Sequence, residues 1–307
     1  MGAKIMLAMT YSSHIKACYD YVNENKILVI SDHSTSPALC ISDDYIFRLC
    51  PDDTRRAIIL TQILQERGIE AVVVLQRGDA WGDGMYDAFK ENFEGIGGDI
   101  VYKIRYLPDI VDFSPEVALV NENLRKAITE YGEDKVAVQA LGFSELLNVI
   151  ELVKDYPLLK DAFWLNGELA GRIREGNETS VKMMWMCPVD APSESPKYRE
   201  WEQSYYDVTA ELAPGSQSTN MRDSMWLTAL SIISTASYDT EAIKEVLPTV
   251  ADNYFGASGW CALNEYGDRD TDYDIMVVRW NEEQQDYLWT AIGHYSIVSG
   301  TLTWSSP

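Results

Sequence analysis

Residues 71–76, AVVVLQ, form an apolar run with no polar alternation, set between two stretches of helical periodicity. A strand with one wet face would alternate, so this one is covered on both faces. The same unit recurs along the chain. Strand-like runs at 4–8, 27–30, 46–49, 100–106, 135–140 and 162–165 alternate with helical stretches at 13–25, 52–68, 82–98, 115–131 and 144–153. Buried strands separated by helices imply an α/β fold with doubly wound parallel sheets. Gly68 and the GIGG at 95–98 stand where helices should stop.

After about residue 180 the pattern changes. VKMMWM (181–186) reads as a strand, and CPVDAPSESPKY (187–198) reads as a Pro/Ser-rich connector. Helices follow at 198–212, 221–236 and 241–250, then strands in WCALN, YDIMVVRW and YLWTAIGHYS. At 307 residues the chain has material for about two domains.

Charge and composition exclude several classes. The net charge of −23, from 25 Lys and Arg against 48 Asp and Glu, opposes nucleic-acid binding, which needs a basic face. No run of about 18 apolar residues exists to span a membrane. MGAKIMLAMT is a poor secretory signal and reads as a start codon joined to a strand. The five cysteines show no C-x-x-C spacing, so neither a zinc site nor a disulfide scaffold is implied. Cys40 and Cys50 flank a short turn and could pair outside the cell; separate buried thiols are the other reading.

Nothing in the motifs points to catalysis, a metal or a cofactor. His14, His33 and His294 have no partner at metal spacing, and there is no nucleophile elbow, phosphate loop or dinucleotide fingerprint. Asp268, Asp270, Asp272 and Asp274 alternate like a calcium loop. Tyr273 and Arg279, however, stand where Gly and Glu would be needed, so a solvated turn is expected. Binding without chemistry fits better. TYSS (10–13), HSTS (33–36), GDAWGDG (78–84) and LNGELAG (165–171) all follow strand-like runs. Open parallel sheets bind ligands just beyond the carboxyl ends of their strands, and hydroxyls beside helix N-termini receive anions. Capping and turn chemistry are the alternative for each loop alone.

TYSSHIKACYDYVNENKILVISDHSTSPAL, YIFRLCPDD, RGDAWGDGMYDAF, DFSPEV, RDSMWLTAL and GASGWCALNEYGDRDTDYDIMVVRW occur in that order. Together they resemble the type I periplasmic solute-binding proteins, specifically the branched-chain amino-acid (Leu/Ile/Val) receptors of ABC importers. The resemblance runs over essentially the whole chain. It implies two α/β lobes joined by hinge crossovers, 1–53 with 190–272 and 54–189 with 273–307, which close on a ligand. It also implies an importer's extracytoplasmic receptor, not an enzyme, which takes an amino acid or similar zwitterion and delivers it to a permease. The alternatives are a sensor on the same fold, such as an amide-sensing regulator or a receptor ectodomain, and an enzyme of unrecognised motif.

The resemblance places the ligand carboxylate on Ser12 and Thr35. The ammonium falls to Thr35, the carbonyl of His33 and Glu168, with Tyr11 and Ser34 beside them. Trp81 stands where the family has tyrosine, and the next aromatic position is Gly142 or a displaced Phe143. These shape the side-chain pocket, so Trp81 and Phe143 are expected to decide which amino acid or analogue is bound, and the resemblance does not imply leucine itself. The family begins with about 70 residues more, which implies an incomplete first lobe and an open edge at 4–8 that could self-associate. Asn177, Glu178 and Thr179 form a glycosylation sequon.

Overall fold

The apolar runs become strands and the periodic stretches helices in a computed structural model that describes residues 2–168, 178–191, 195–210 and 215–305. Asn177 of the sequon and residues 169–171 of LNGELAG lie outside the described residues. In chain order come β1 (Ile5–Leu7), α1 (Ser12–Glu24), β2 (Leu28–Ser31), β3 (Ile46–Arg48), α2 (Asp53–Glu66), β4 (Ala71–Arg77) and α3 (Ala80–Gly95). Next are β5 (Asp99–Tyr106), α4 (Ser114–Tyr131), β6 (Val136–Leu141), α5 (Leu146–Val153), α6 (Pro157–Asp161), β7 (Phe163–Asn166), α7 (Glu178–Lys182) and β8 (Met186–Asp190). The chain continues through α8 (Pro196–Thr209), α9 (Ser216–Thr235), α10 (Thr240–Asp252), β9 (Phe255–Gly256) and β10 (Gly259–Trp260). It ends with β11 (Tyr273–Asn281), β12 (Asp286–Ser296) and β13 (Thr301–Trp304).

These elements fall into two compact units, Met1–Asp52 with Asp190–Thr271, and Asp53–Val189 with Asp272–Pro307. Unit 1 holds a three-stranded parallel sheet, β1-β2-β3, and the short antiparallel pair β9 and β10. The sheet is covered on both faces. Leu28, Ile30 and Phe47 pack on Leu227, Ile243 and Leu247 of α9 and α10, whereas Val29 and Ile46 pack on Ile15 and Val22 of α1.

Unit 2 holds eight strands in the order β13-β12-β11-β8-β7-β6-β4-β5. β5, β4, β6, β7 and β8 run parallel, and β11, β12 and β13 form an antiparallel meander. β4 shows why its sequence lacks alternation. Val73 and Leu75 enter a core with α4 and α5, and Val72 and Val74 enter another with α2 and α3. Both faces are dry, so both residue parities must be apolar.

Two sequence readings require correction, and the choice left open for the cysteines is decided. VKMMWM is not a strand: 178–182 is α7, and β8 begins only at Met186. Met183 and Trp185 are apolar because they are fully buried in the α4 core, not because they lie on a strand. Asp268 is no solvated turn residue, since it is 1% exposed and paired with Arg48. All five cysteines, Cys40 and Cys50 included, are free thiols.

The rest of the acidic run does reach solvent. Asp274 Oδ1 lies 2.9 Å from Nδ1 of His294 and Asp272 Oδ2 lies 3.4 Å from its Nε2. The bond to Asp274 raises the His294 pKa above 6.5, against partial desolvation, with the charges of both carboxylates adding to the rise. A group whose folded pKa is raised stabilises fully below its unfolded value and loses that contribution as pH climbs through the folded value. The imidazole is 46% exposed, so solvent screening holds the effect to about 0.2–1 kcal/mol. His294→Asn should therefore be less stable than wild type near pH ~5.5 and equal to it near pH ~8.5. Chemical denaturation showing the same gap at both pH values would remove this assignment.

Candidate functional site

Hydroxyls are small and polar, so a run of them is buried only where each finds a partner. The loop that leaves β2 satisfies this condition internally. Ser31 Oγ donates to the Met9 carbonyl (2.7 Å) and accepts from the amide of Ser34 (3.0 Å). Ser34 Oγ donates to Ser12 Oγ (3.1 Å), and the Ser36 amide donates to the same oxygen (3.2 Å). Ser34, Thr35 and Ser12 are 0, 2 and 4% exposed, His33 is half-buried, and Tyr11 is exposed with its ring edge-on to His14. Unit 1 thus brings Ser12, His33, Ser34 and Thr35 together at the carboxyl ends of β1 and β2. Ser12, first residue of α1, accepts in both its bonds, which leaves its hydroxyl proton for a further acceptor.

The loop rests on Arg48, a residue that the sequence reading places in a motif but not in the site. Nη1 of Arg48 donates to the carbonyls of Ser34 (2.9 Å) and Ser36 (2.8 Å). Nε and Nη2 grip both carboxylate oxygens of Asp268. An arginine inside the apolar strand YIFRLC was the available signal, because arginine is almost never fully buried unpaired. Cys40, Asp52 and Asp268 lie close enough to share a cation. The guanidinium already occupies Asp268 and touches Cys40 Sγ at 3.1 Å. Burial pushes the Cys40 thiol up to about 12, against the pull of Arg48, so it stays protonated and is a poor metal ligand.

In unit 2, the carboxyl ends of adjacent strands β4, β6 and β7 lead to Trp81, Phe143 and Glu168. Asp79 caps α3 by accepting from the amides of Trp81 (3.1 Å) and Gly82 (3.0 Å). A Cβ at Gly82 would sit 2.1 Å from the Arg77 carbonyl oxygen, so only glycine permits this turn. Trp81 is 4% exposed and its ring meets that of Phe143 at 4.3 Å. The guanidinium of Arg77 lies 5.0 Å from the Phe143 ring while bridging Asp79 (2.6 Å) and Glu145 (2.7 Å).

Glu168 is not solitary. Its Oε2 lies 2.6 Å from Nη1 of Arg56, which also lies 3.1 Å from Asp53 Oδ1. Arg56 and Asp53 are buried, and the Glu168 side chain is 13% exposed. Two carboxylates share one guanidinium.

The chain belongs to the family described as the receptor family ligand binding region, whose profile matches residues 2–281. It is 25% identical to the uncharacterized protein MJ1266 of Methanocaldococcus jannaschii, across 99% of this chain and 75% of that protein. Its fold is that of the type I periplasmic binding proteins. It is similar to the leucine-binding protein LivK of Thermotoga maritima, with TM-score 0.73, 16% identity, and 99% and 79% of the two chains covered. LivJ of Streptococcus pneumoniae, in complex with isoleucine, gives TM-score 0.68 and 16% identity over 89% and 76%. An ABC-transporter solute-binding protein of Rhodopseudomonas palustris BisB5, in complex with 3,4-dihydroxybenzoic acid, gives 0.75 and 16% over 94% and 77%.

Proposed function

We propose that this chain is the ligand-binding part of an extracytoplasmic ABC-importer receptor, that its ligand is an amino acid or similar small zwitterion, and that it delivers this ligand to a permease. The Glu168 carboxylate, 13% exposed where β7 ends, carries the reading, because it offers a ligand ammonium a charged acceptor. The buried hydroxyls of Ser12 and Thr35, beside the N-terminus of α1, supply the matching demand for a carboxylate. Trp81 and Phe143 supply apolar surface for the ligand side chain. Among the described residues, no helix is long and apolar enough to cross a membrane.

Calorimetry against amino acids, benzoates and neutral sugars tests this. Amino acids should bind, and Ser12→Ala with Thr35→Ala should weaken them by about 1–3 kcal/mol for the lost donors. Binding of benzoates or sugars with no response to any amino acid would overturn the zwitterion. The family's receptor character also admits a sensor on the same fold, and co-purification with a permease separates the two.

The edge of the unit 1 sheet bears on partners. β1 pairs only with β2 among the described residues, and Ile5, Met6 and Leu7 are half-buried. An open apolar edge is a template for another strand. Self-association through β1 is therefore expected, and Ile5→Pro should abolish it by removing a donor from the open edge, since the Lys4 carbonyl, one residue earlier, faces β2. Sedimentation of wild type as a monomer at every concentration would refute it.

A further inference from the structure

Three arginines are deeply buried among the described residues, and two of them have acidic partners. Arg48 has Asp268, and Arg56 of unit 2 has Asp53 and Glu168. Arg269 differs. It is 5% exposed, yet its acceptors are all neutral: the Trp260 carbonyl (2.7 Å), the Ser258 carbonyl and Asn220 Oδ1 (3.3 Å). Those bonds use three of its five N–H groups. One proton on each terminal nitrogen has no acceptor among the described residues, and no carboxylate there forms an ion pair with it. A buried charge without a counter-ion is costly.

Arg269 lines a cavity of about 70 Å³ with Pro51, Asp190, Tyr198, Thr219 and Asn220. One water needs about 10–15 Å³ on this measure, so the space holds several waters or a small organic ion. Thr219 and Asn220 are 4 and 3% exposed, which makes the polar wall fixed rather than a patch of surface. Asp190 contributes a carboxylate to the lining but lies beyond ion-pair distance of Arg269. The nearby Asp223 carboxylate is taken by the amides of Ala257 (3.0 Å) and Ser258 (2.7 Å) and by the Ser258 hydroxyl (2.6 Å).

We propose that this cavity is a binding site for a small carboxylate, held by the two remaining N–H groups of Arg269 and separate from the Ser12 and Thr35 loop. One proton on each terminal nitrogen suits a planar carboxylate, which bridges the guanidinium fork. The site also communicates with that loop. Asn220 accepts from Arg269 and donates from Nδ2 to the Asp32 carbonyl at 3.1 Å, one residue before His33. The cavity wall includes Pro51, Asp190 and Thr271, which flank the three places where the chain leaves or enters unit 1. A carboxylate here therefore braces both the loop and the chain's exits. If the loop binds the principal ligand as proposed above, occupancy of one site changes affinity at the other by the same factor.

The test uses the full chain carrying Ser12→Ala and Thr35→Ala, so that a carboxylate at the loop does not enter the readout. Sodium acetate is titrated against sodium chloride at equal ionic strength, with the unfolding midpoint recorded. The midpoint should rise saturably with acetate and not with chloride. Arg269→Lys should weaken the response about tenfold or more. Should Arg269→Lys fail to fold, Ala191→Leu decides, because Ala191 lines the cavity and a larger side chain fills it with Arg269 intact. It should abolish the acetate response. Equal responses to acetate and chloride, or an acetate response that survives Ala191→Leu, would overturn the site. Loss of the response in the Ser12→Ala, Thr35→Ala background itself would also overturn it, by making the loop the only carboxylate receptor.

Discussion

Arg48→Met should destabilise unit 1 by about 3–5 kcal/mol, the cost of breaking a buried ion pair from one side. The substitution leaves the Asp268 carboxylate at 1% exposure with its bidentate partner gone. It also strips the donor from the carbonyls of Ser34 and Ser36. Burial already pushes the Asp268 pKa up against the pull of Arg48, so the orphaned carboxyl should take up a proton instead of remaining charged. Arg48→Met with Asp268→Leu should recover much of the loss, because a buried pair replaced by apolar groups is often neutral. The two units need not unfold together. Hydrogen exchange of the β2 and β3 amides is therefore the right measurement. Protection within about 1 kcal/mol of wild type in the single variant would contradict this role.

Glu168→Gln should weaken binding of an amino acid by about 2–5 kcal/mol, or roughly thirty- to several-thousand-fold. The change removes one carboxylate charge and leaves Arg56 still paired with Asp53 at 3.1 Å. Stability should move far less than affinity. That split separates a ligand-facing carboxylate from one that merely props Arg56. A ligand with a carboxylate but no ammonium should bind the variant equally well or better. Calorimetry showing unchanged amino-acid affinity in Glu168→Gln would sink the assignment of Glu168 to the ammonium.

Local pattern was enough for the strands that carry the sheets. The uninterrupted apolar run at β4 could only be covered on both faces, and the Val72/Val74 and Val73/Leu75 parities divide between two cores accordingly. The hydroxyls after β2 were legible too, because a polar run directly after a buried strand marks a strand end. Where apolar residues served a tertiary need the pattern misled: Met183 and Trp185 fill a core from the turn and link between α7 and β8, and they read as a strand.

Charge partnership was not legible. Arg48 and Asp268 are 220 residues apart, and Arg56 and Glu168 are 112 apart. Period and turn chemistry act between residues a few positions apart, so the sequence by itself determined which segments are strands, helices and strand-end loops. Coulomb energy depends on distance in space and on the water removed around each charge. Only the tertiary structure could decide that Asp268 is a buried counter-ion, that Glu168 shares an arginine, and that Arg269 has no acidic partner among the described residues.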